Sequence, residues 1–467
     1  MALLPQLTRR LGEPLFLPAH GRGVALPDGL RQLLRRRAGI WDLPELPELG
    51  GPLEPEGAIA ASQRCSAAQM GVARCWYGVN GATGLLQAAL LAMVRPGERV
   101  LLPRNVHRSL IQACVLGDLQ PVLFDLPFQS DRGQPAPVDS VWIERVLEAL
   151  PSDGAPIRAA VLVHPTYQGY ANDPTEVIKR LQERGCCVLV DEAHGCHFAA
   201  GVNHPLPPSA VHCGADLVVH SLQKSAAALA QTAVLWLQGE RLDPVRVERS
   251  LGLLQTTSPS ALLLASCEEA LQHWQRRRGR RQLLRRLQEA KELGEGLRNS
   301  GVPLLNNQDP LRLILHTGQA GITGLDADEW FLSRGLVGEL PEPATLTFCL
   351  GLAQHRGLGR RIQHKWEELR RTYPDRDPLP PFEAPPLPLV TTTDHSPSQA
   401  WHAERLRVSL DEAGGCLAAE LLCPYPPGIP LLIPGERLDR NRQAWLKRQQ
   451  LFWGEQIPDG LFVVSRG

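Results

Sequence analysis

The chain has 467 residues, more than one small core accommodates, so two or three domains are expected. Hydrophobic residues at 43% and charged residues at 21% are those of an ordinary globular protein, and 49 Lys+Arg against 49 Asp+Glu leave no electrostatic footprint for nucleic acid or an anionic membrane. The most apolar run, 85–94, is too short to span a bilayer, and residues 1–10 carry neither a long apolar core nor a cleavage site. Eleven cysteines include no Cys-x-x-Cys pair, so neither a zinc site nor a redox motif is suggested and no metal is expected. A reducing cytoplasm is the expected location.

In chain order, residues 1–40 read as an irregular arm leading into a basic helix over 30–37. From about residue 70, short apolar strands alternate with helices. Helices are expected over 85–94, 109–116, 141–150 and 175–184. Strands are expected over 99–102, 121–124, 159–163, 187–190 and 217–220. That alternation predicts βαβ units and a mostly parallel sheet, an α/β class, with a ligand beyond the carboxyl ends of the strands. A long helical region over 262–299 is expected to break near Gly279. Its arginines, Arg276, Arg277, Arg278, Arg280, Arg281, Arg285 and Arg286, read as a solvated face opposite a buried stripe of Leu283, Leu287, Ala290 and Leu297, not as a nucleic-acid surface. The expected organisation is an arm and major domain over 1–300, a small αβ segment over 301–375, a proline-rich linker over 376–392 and a terminal domain over 393–467.

The chemistry concentrates at two strand ends. Asp191 closes the apolar run Val188-Leu-Val190, and Lys224 closes Ser221-Leu-Gln-Lys224. An acid and an amine on adjacent strand ends are what pyridoxal phosphate (PLP) needs. The carboxylate pairs with the pyridinium nitrogen and the lysine forms the Schiff base. Lys224 lies in an uncharged stretch of small and apolar residues, where burial lowers an amine's pKa and makes it a nucleophile. Taken singly, a surface lysine and a turn-capping aspartate are the plainer readings. Asp191-Glu-Ala-His194 also spells the box of DEAH ATPases, but no Gly-Lys-Ser/Thr occurs to hold phosphates.

Further residues complete a PLP set. In Asn80-Gly-Ala82-Thr83-Gly84, glycines let the backbone approach a phosphate, Thr83 offers a hydroxyl and the following helix offers free amides. Ser221 adds a second hydroxyl. His107, on the loop Arg104-Asn-Val-His107-Arg-Ser109, is placed to stack on the pyridine face. Ala193 is small enough to lie against the other face. His194 sits beside the ring or acts as a proton donor near the reacting carbon.

With these residues in view, the chain resembles the PLP-dependent Orn/Lys/Arg decarboxylase family of fold type I, in its short form without a receiver-like N-terminal wing. His20-Gly21, Asn80-Gly-Ala-Thr83, the His107 loop, Pro165-Thr-Tyr-Gln-Gly169, Asp191-Glu-Ala-His194, Ser221-x-x-Lys224 and Thr256-Thr-Ser-Pro-Ser260 occur in the family's order. Pro424-Tyr-Pro-Pro-Gly-Ile-Pro430 with Pro434-Gly-Glu436 resembles its C-terminal signature. The resemblance implies a fold-type-I, transferase-like large domain with smaller α+β C-terminal parts. It implies Lys224, Asp191, His194 and His107 as catalytic residues. Ala82, Thr83, Gly84, Ala193 and Ser221 would bind the cofactor, and Ser258 would reach the phosphate of a neighbouring subunit. The implied reaction is α-decarboxylation of lysine, arginine or ornithine to the amine and CO2, feeding polyamine biosynthesis. A homodimer or higher even oligomer is implied, with no nucleic-acid or membrane partner.

The chain departs from the family pattern at three places. Gln223 stands where histidine is frequent, Ala82 where a hydroxyl residue is usual, and Ser396-Pro-Ser-Gln-Ala400 lacks a charged pair. Two rivals stay open. One is another fold-type-I activity, an aminotransferase or lyase, with Arg405 or Arg407 binding the substrate carboxylate. The other is a PLP-binding homologue without turnover, supported by Gln223 and Ala82. Glu420 and Glu436 are candidates for the distal cation of a basic substrate, with salt bridges as their plainer reading.

Overall fold

A computed structural model describes residues 12–36, 38–152, 154–201, 205–423, 429–453 and 457–465. Residues 424–428 of the proline-rich signature lie outside that set. The alternation of strands and helices becomes an eight-stranded sheet. Its strands are β1 (Arg74–Gly78), β2 (Arg99–Pro103), β3 (Gln120–Phe124), β4 (Ile157–Val163), β5 (Cys187–Asp191), β6 (Leu217–Ser221), β7 (Ala233–Leu237) and, near the C-terminus, Val390–Thr392. Starting from Val390–Thr392, the strands lie in the order β3, β2, β4, β5, β6, β7, β1. From β3 to β6 every pair is parallel. β7 runs antiparallel to both β6 and β1, and Val390–Thr392 antiparallel to β3.

Period-two alternation sends successive side chains of each strand to opposite faces. Val188 and Val190 of β5 enter the core under helix α4 (Thr175–Glu183), while Leu189 enters the core under helix α1 (Gly81–Met93). Burial on both faces explains why the strands read as continuous apolar runs. β1 and β7 escaped the sequence reading. Between Lys224 and β7 the chain has no crossover helix, and it reverses through Ala227 (φ 56°) and Gln231 (φ 70°) into an antiparallel strand. Such pairs need only a short connection, so no βαβ signature marks them.

Helices α2 (Arg108–Leu116), α3 (Ser140–Glu148) and α5 (Pro244–Leu254) cover the sheet. The long helical region is two helices, α6 (Ala261–Gln275) and α7 (Arg277–Asn299). They part at Arg276 (ψ 140°), three residues before Gly279 and so near the expected break. A Cβ on Gly279 would stand 1.9 Å from the His273 carbonyl oxygen, so glycine lets the two helix ends pass closely. Leu283, Leu287, Ala290 and Leu297 are buried, and most of the arginines face outward. Arg286 is the exception, buried and paired with Glu289.

A four-stranded antiparallel sheet follows, from β8 (Leu304–Leu305), β9 (Arg312–Leu315), β10 (Leu340–Glu342) and β11 (Thr345–Cys349). The proline-rich stretch after it is tied down: the Leu379 N–H donates to Gly318 O (2.8 Å) and the Phe382 N–H to Ser130 O (2.7 Å). It leads directly into the edge strand of the large sheet. The terminal part pairs β12 (Arg405–Ser409) with β13 (Gly460–Val464) around a separate core of Leu410, Leu432, Trp445 and Leu446. The N-terminal arm lies across the body. Leu15 is fully buried, and the Ala19 N–H donates to the carbonyl of Gln223 (2.9 Å). Among the described residues no helix is long and apolar enough to cross a membrane.

Candidate active site

Asp191 is the last residue of β5, and Lys224 lies in the single helical turn Leu222–Ser225 that follows β6. Parallel pairing of β5 with β6 therefore brings acid and amine to one edge of the sheet. Asp191 is buried, and its Oδ1 accepts the Ala193 N–H (3.1 Å). No basic side chain forms an ion pair with it among the described residues. Burial pushes its carboxyl pKa up, with the Lys224 charge opposing. Burial lowers the Lys224 amine, with Asp191 opposing and Arg312 reinforcing.

Lys224 Nζ is 2.9 Å from His194 Nε2, and Arg312 Nη2 is 3.5 Å from the other ring nitrogen, Nδ1. A guanidinium only donates, so Nδ1 is the acceptor. Burial, then Lys224 and Arg312, push the imidazole well below its usual pKa. Burial likewise lowers the Lys224 amine, which favours its nucleophilic, unprotonated form.

Tyr167 and Glu339 enlarge this group. The Tyr167 ring lies 4.2 Å from the His194 ring, centroid to centroid, and 5.8 Å from Lys224 Nζ. Its phenol donates to Glu339 Oε1, and Glu339 Oε2 accepts the Leu17 N–H (2.8 Å) from the N-terminal arm. Burial, then the Glu339 charge, raise the phenol's pKa. Arg312 is buried to 2% exposure, its Nε has no partner, and no carboxylate stands within 4.0 Å of it among the described residues.

Glu192, fully buried, braces the strand ends. It accepts from Ser209 Oγ (2.6 Å), the Ala210 N–H (3.1 Å) and His220 Nε2 (2.6 Å). The Trp236 indole donates to His220 Nδ1 (2.9 Å), which fixes the His220 proton on Nε2, facing Glu192. β5, β6 and β7 are thereby locked together just beneath Asp191 and Ser221. A second buried contact, His197 Nε2 to Asp309 Oδ1 (3.1 Å), ties the loop after His194 to the turn before Arg312. Burial would raise the Asp309 carboxyl, but His197 and Arg312 hold it below the usual range.

The other end of the site suits a phosphate. Asn80 places no side-chain cap on α1, because its Nδ2 donates instead to Leu254 O (2.9 Å). The first-turn amides around Ala82 and Thr83 therefore keep their anion-binding character. Gly81 has φ +70° with open space where a Cβ would be. Thr83 is exposed, Ala82 half-buried and Gly84 buried. Ser221 is buried, and its Oγ has no partner among the described residues. A buried carboxylate without an ion-pair partner, an unpartnered buried hydroxyl, an uncapped helix N-terminus and an amine whose pKa burial lowers fit PLP.

The remaining sequence candidates fall as follows. Ala193 is buried beside Asp191. His107 is exposed as the N-cap of α2, with Nδ1 2.8 Å from Ser109 Oγ. Ser258 is on an exposed loop, 3.4 Å from Thr256 Oγ1, and no hydrogen bond links it to Lys224, Asp191 or His107. Gln223 is a brace: its Oε1 accepts the Gln231 N–H (3.1 Å) in the turn leading to β7.

Glu436 is spent on structure. It is 1% exposed and takes Arg104 on both oxygens (2.6 and 2.9 Å), with Arg442 at 3.4 Å. Glu420, half-buried, lies 3.6 Å from the exposed Arg405, and Arg407 pairs with Asp459, both exposed. The charged side chains that join Lys224 are instead Arg312 and Glu339, which the sequence reading missed. Arg312 left a signal, a lone guanidinium at the head of the apolar strand Leu313-Ile-Leu315, costly to bury without a purpose. Glu339 left none. Among the described residues no cluster of His, Cys, Asp or Glu is placed to hold a metal ion.

The model of the Orn/Lys/Arg decarboxylase major domain matches residues 40–315, and that of the Orn/Lys/Arg decarboxylase C-terminal domain matches 383–458. The chain is 32% identical to the uncharacterized protein YaaO of Bacillus subtilis, over 95% of this chain and 92% of that one. It is 28% identical to an arginine decarboxylase of Halalkalibacterium halodurans, over 92% and 89%. Lysine decarboxylase A from Pseudomonas aeruginosa shares the fold with a TM-score of 0.78 at 18% identity, covering 97% of this chain and 81% of that one.

Proposed function

Because the chain belongs to the Orn/Lys/Arg decarboxylase family, we propose that it removes the α-carboxyl group of a basic amino acid as CO2, with arginine as the first substrate to test. It is a PLP-dependent decarboxylase with the fold of the fold-type-I PLP enzymes. Several relatives named arginine decarboxylase support that choice of substrate. The amine product would enter polyamine metabolism. The observation that carries the reading is a buried carboxylate without an ion-pair partner, Asp191, at the end of the strand paired with the one that leads to the Lys224 amine, whose pKa burial lowers.

When bound, PLP supplies an aldehyde that condenses with amines and a ring that takes up the electron pair left by departing CO2. Asp191 would hold the proton on the ring nitrogen. Its burial at the strand end, with no competing cation in ion-pair contact, suits it to that task. Ser221 Oγ and the amides around Ala82 and Thr83 would hold the phosphate. Lys224 would supply the amine, and His194 Nε2, 2.9 Å away, is placed to exchange a proton with it. Arg312, without a carboxylate partner, would receive and orient the substrate carboxylate beside His194. His194 and Arg312 are buried and Lys224 half-buried, which limits water around the reacting groups. His107 would cover the ring, and Ser258 would serve the site of a second copy in a homodimer.

The test is direct. Purified holoenzyme is incubated with arginine, lysine or ornithine, and CO2 and amine are followed. Borohydride trapping with peptide mass analysis locates the cofactor lysine. Release of CO2 from a basic amino acid with label on Lys224 is expected. Label elsewhere, or amino-group transfer to a 2-oxo acid without CO2, would overturn the assignment.

A further inference from the structure

Two carboxylates influence the Lys224 amine, Asp191 and Glu339. Asp191 is committed to the ring nitrogen in the reading above, on which the present inference rests. Glu339 has no such task. It stands just before β10, half-buried, and no Lys, Arg or His lies within 4.0 Å of its oxygens among the described residues. Each oxygen accepts one hydrogen bond, from the Tyr167 phenol and the Leu17 N–H, and each has room for another. Tyr167 links Glu339 to the His194–Lys224 pair, because its ring lies against the imidazole and its hydroxyl ends on the carboxylate. Lys224 Nζ lies 5.8 Å from the centre of that ring, and Glu339 stands at the ring's hydroxyl end. Arg312 lies on the other side of His194 from Lys224. These residues therefore offer one guanidinium and one carboxylate, neither in an ion pair among the described residues. A substrate with a carboxylate at one end and a cation at the other complements both.

We propose that Glu339 receives the distal ammonium or guanidinium of the substrate and so determines the preference for basic amino acids. A half-buried carboxylate gains more from a cation than one fully in water, because the local dielectric is lower. The Leu17 N–H, from the arm, orients it, so a segment remote in sequence contributes to the specificity wall.

The test uses the PLP-loaded enzyme and Glu339→Gln, which keeps an acceptor for Tyr167 and Leu17 but removes the charge. KM for the basic substrate should rise by about 10- to 100-fold, the range expected for a lost charge-assisted hydrogen bond. The fall in kcat should be smaller, with cofactor content and thermal midpoint unchanged. Discrimination between arginine and citrulline, or lysine and norleucine, should collapse, and Glu339→Asp should restore part of it. Unchanged KM and discrimination would overturn the proposal. So would equal losses on charged and neutral ligands accompanied by cofactor loss, which marks a purely structural role. If the wild type releases no CO2 from any basic amino acid, the decarboxylase reading fails by itself. Titration of the same two holoproteins with the amines expected as products and with their uncharged analogues then decides the role of Glu339.

Discussion

Glu436→Gln separates a structural carboxylate from a substrate-binding one. The side chain is 1% exposed and receives two guanidinium hydrogen bonds from Arg104, itself fully buried, at 2.6 and 2.9 Å. Arg442 approaches to 3.4 Å, and the Ile433 N–H donates at 2.9 Å. Neutralising Glu436 leaves two buried guanidiniums facing an amide. Breaking a buried pair from one side costs about 3–5 kcal/mol, because the abandoned charge has lost its compensation. Arg104 keeps Thr391 Oγ1 (2.6 Å) and the Pro430 carbonyl (3.2 Å), which places the loss toward the lower end. Arg104→Met is expected to cost less than Glu436→Gln, since it leaves Glu436 with Arg442 and the Ile433 amide. The double variant should recover part of the sum, giving a coupling of about 1–3 kcal/mol. Thermal unfolding and hydrogen exchange in β2 and the terminal part of the chain, on holoenzyme, read these differences. KM for the basic substrate should stay within about twofold among molecules that remain folded. A raised KM with unchanged unfolding midpoint would refute this and return Glu436 to the substrate pocket.

Arg312→Met removes a charge that depresses the Lys224 pKa and the guanidinium 3.5 Å from His194 Nδ1. The pH at which apoenzyme captures PLP should move upward, toward the ordinary lysine value, in a stopped-flow absorbance series. Because the Lys224 pKa is lowered on folding, unfolded chain binds more protons between that value and 10.5. Apoenzyme stability contributed by this group therefore rises with pH across that window and is lost below it, as denaturation at several pH values will read. Asp191→Asn should retain the fold and lower kcat on the order of a hundredfold or more, as removal of a preorganised charge commonly does. An unchanged kcat would dismiss the ring-nitrogen role. Gly279→Ala should lower the unfolding midpoint, with overpacking of about 1–3 kcal/mol, because its Cβ meets the His273 carbonyl.

Much of this was legible in the sequence where one residue type answers to one physical demand. Strands β2 to β6 announced themselves as apolar runs between helices. Asp191 and Lys224 were visible because a charge at the end of such a run needs a reason. What stayed hidden depends on contacts between distant segments. β7 lacks the helix that marks parallel neighbours, so its direction follows from pairing with β1 and β6. Arg312 lies in the second sheet and Glu339 just before its strand β10, and nothing local links them to Lys224, 88 and 115 positions earlier. Glu436 showed the reverse case: an acid beside a distinctive signature looked like a ligand for a cation, and the cation is the protein's own Arg104. The Pro424–Pro430 signature carried the family resemblance, while residues 424–428 lie outside the described structure.

The reversed strand β7 also bears on how the molecule is made. Among the described residues β1 pairs with nothing but β7, so residues 74–78 have no sheet partner until residues 233–237 have been synthesised. Helix α1, with the amides assigned to phosphate, follows directly on that strand, while its apolar face packs on β2, β4 and β5. The strand that leads into the phosphate turn thus gains its sheet partner only once the chain has passed Lys224 and turned back. A nascent chain arrested before that reversal carries every glycine of the phosphate turn behind a strand that has no neighbour in the sheet.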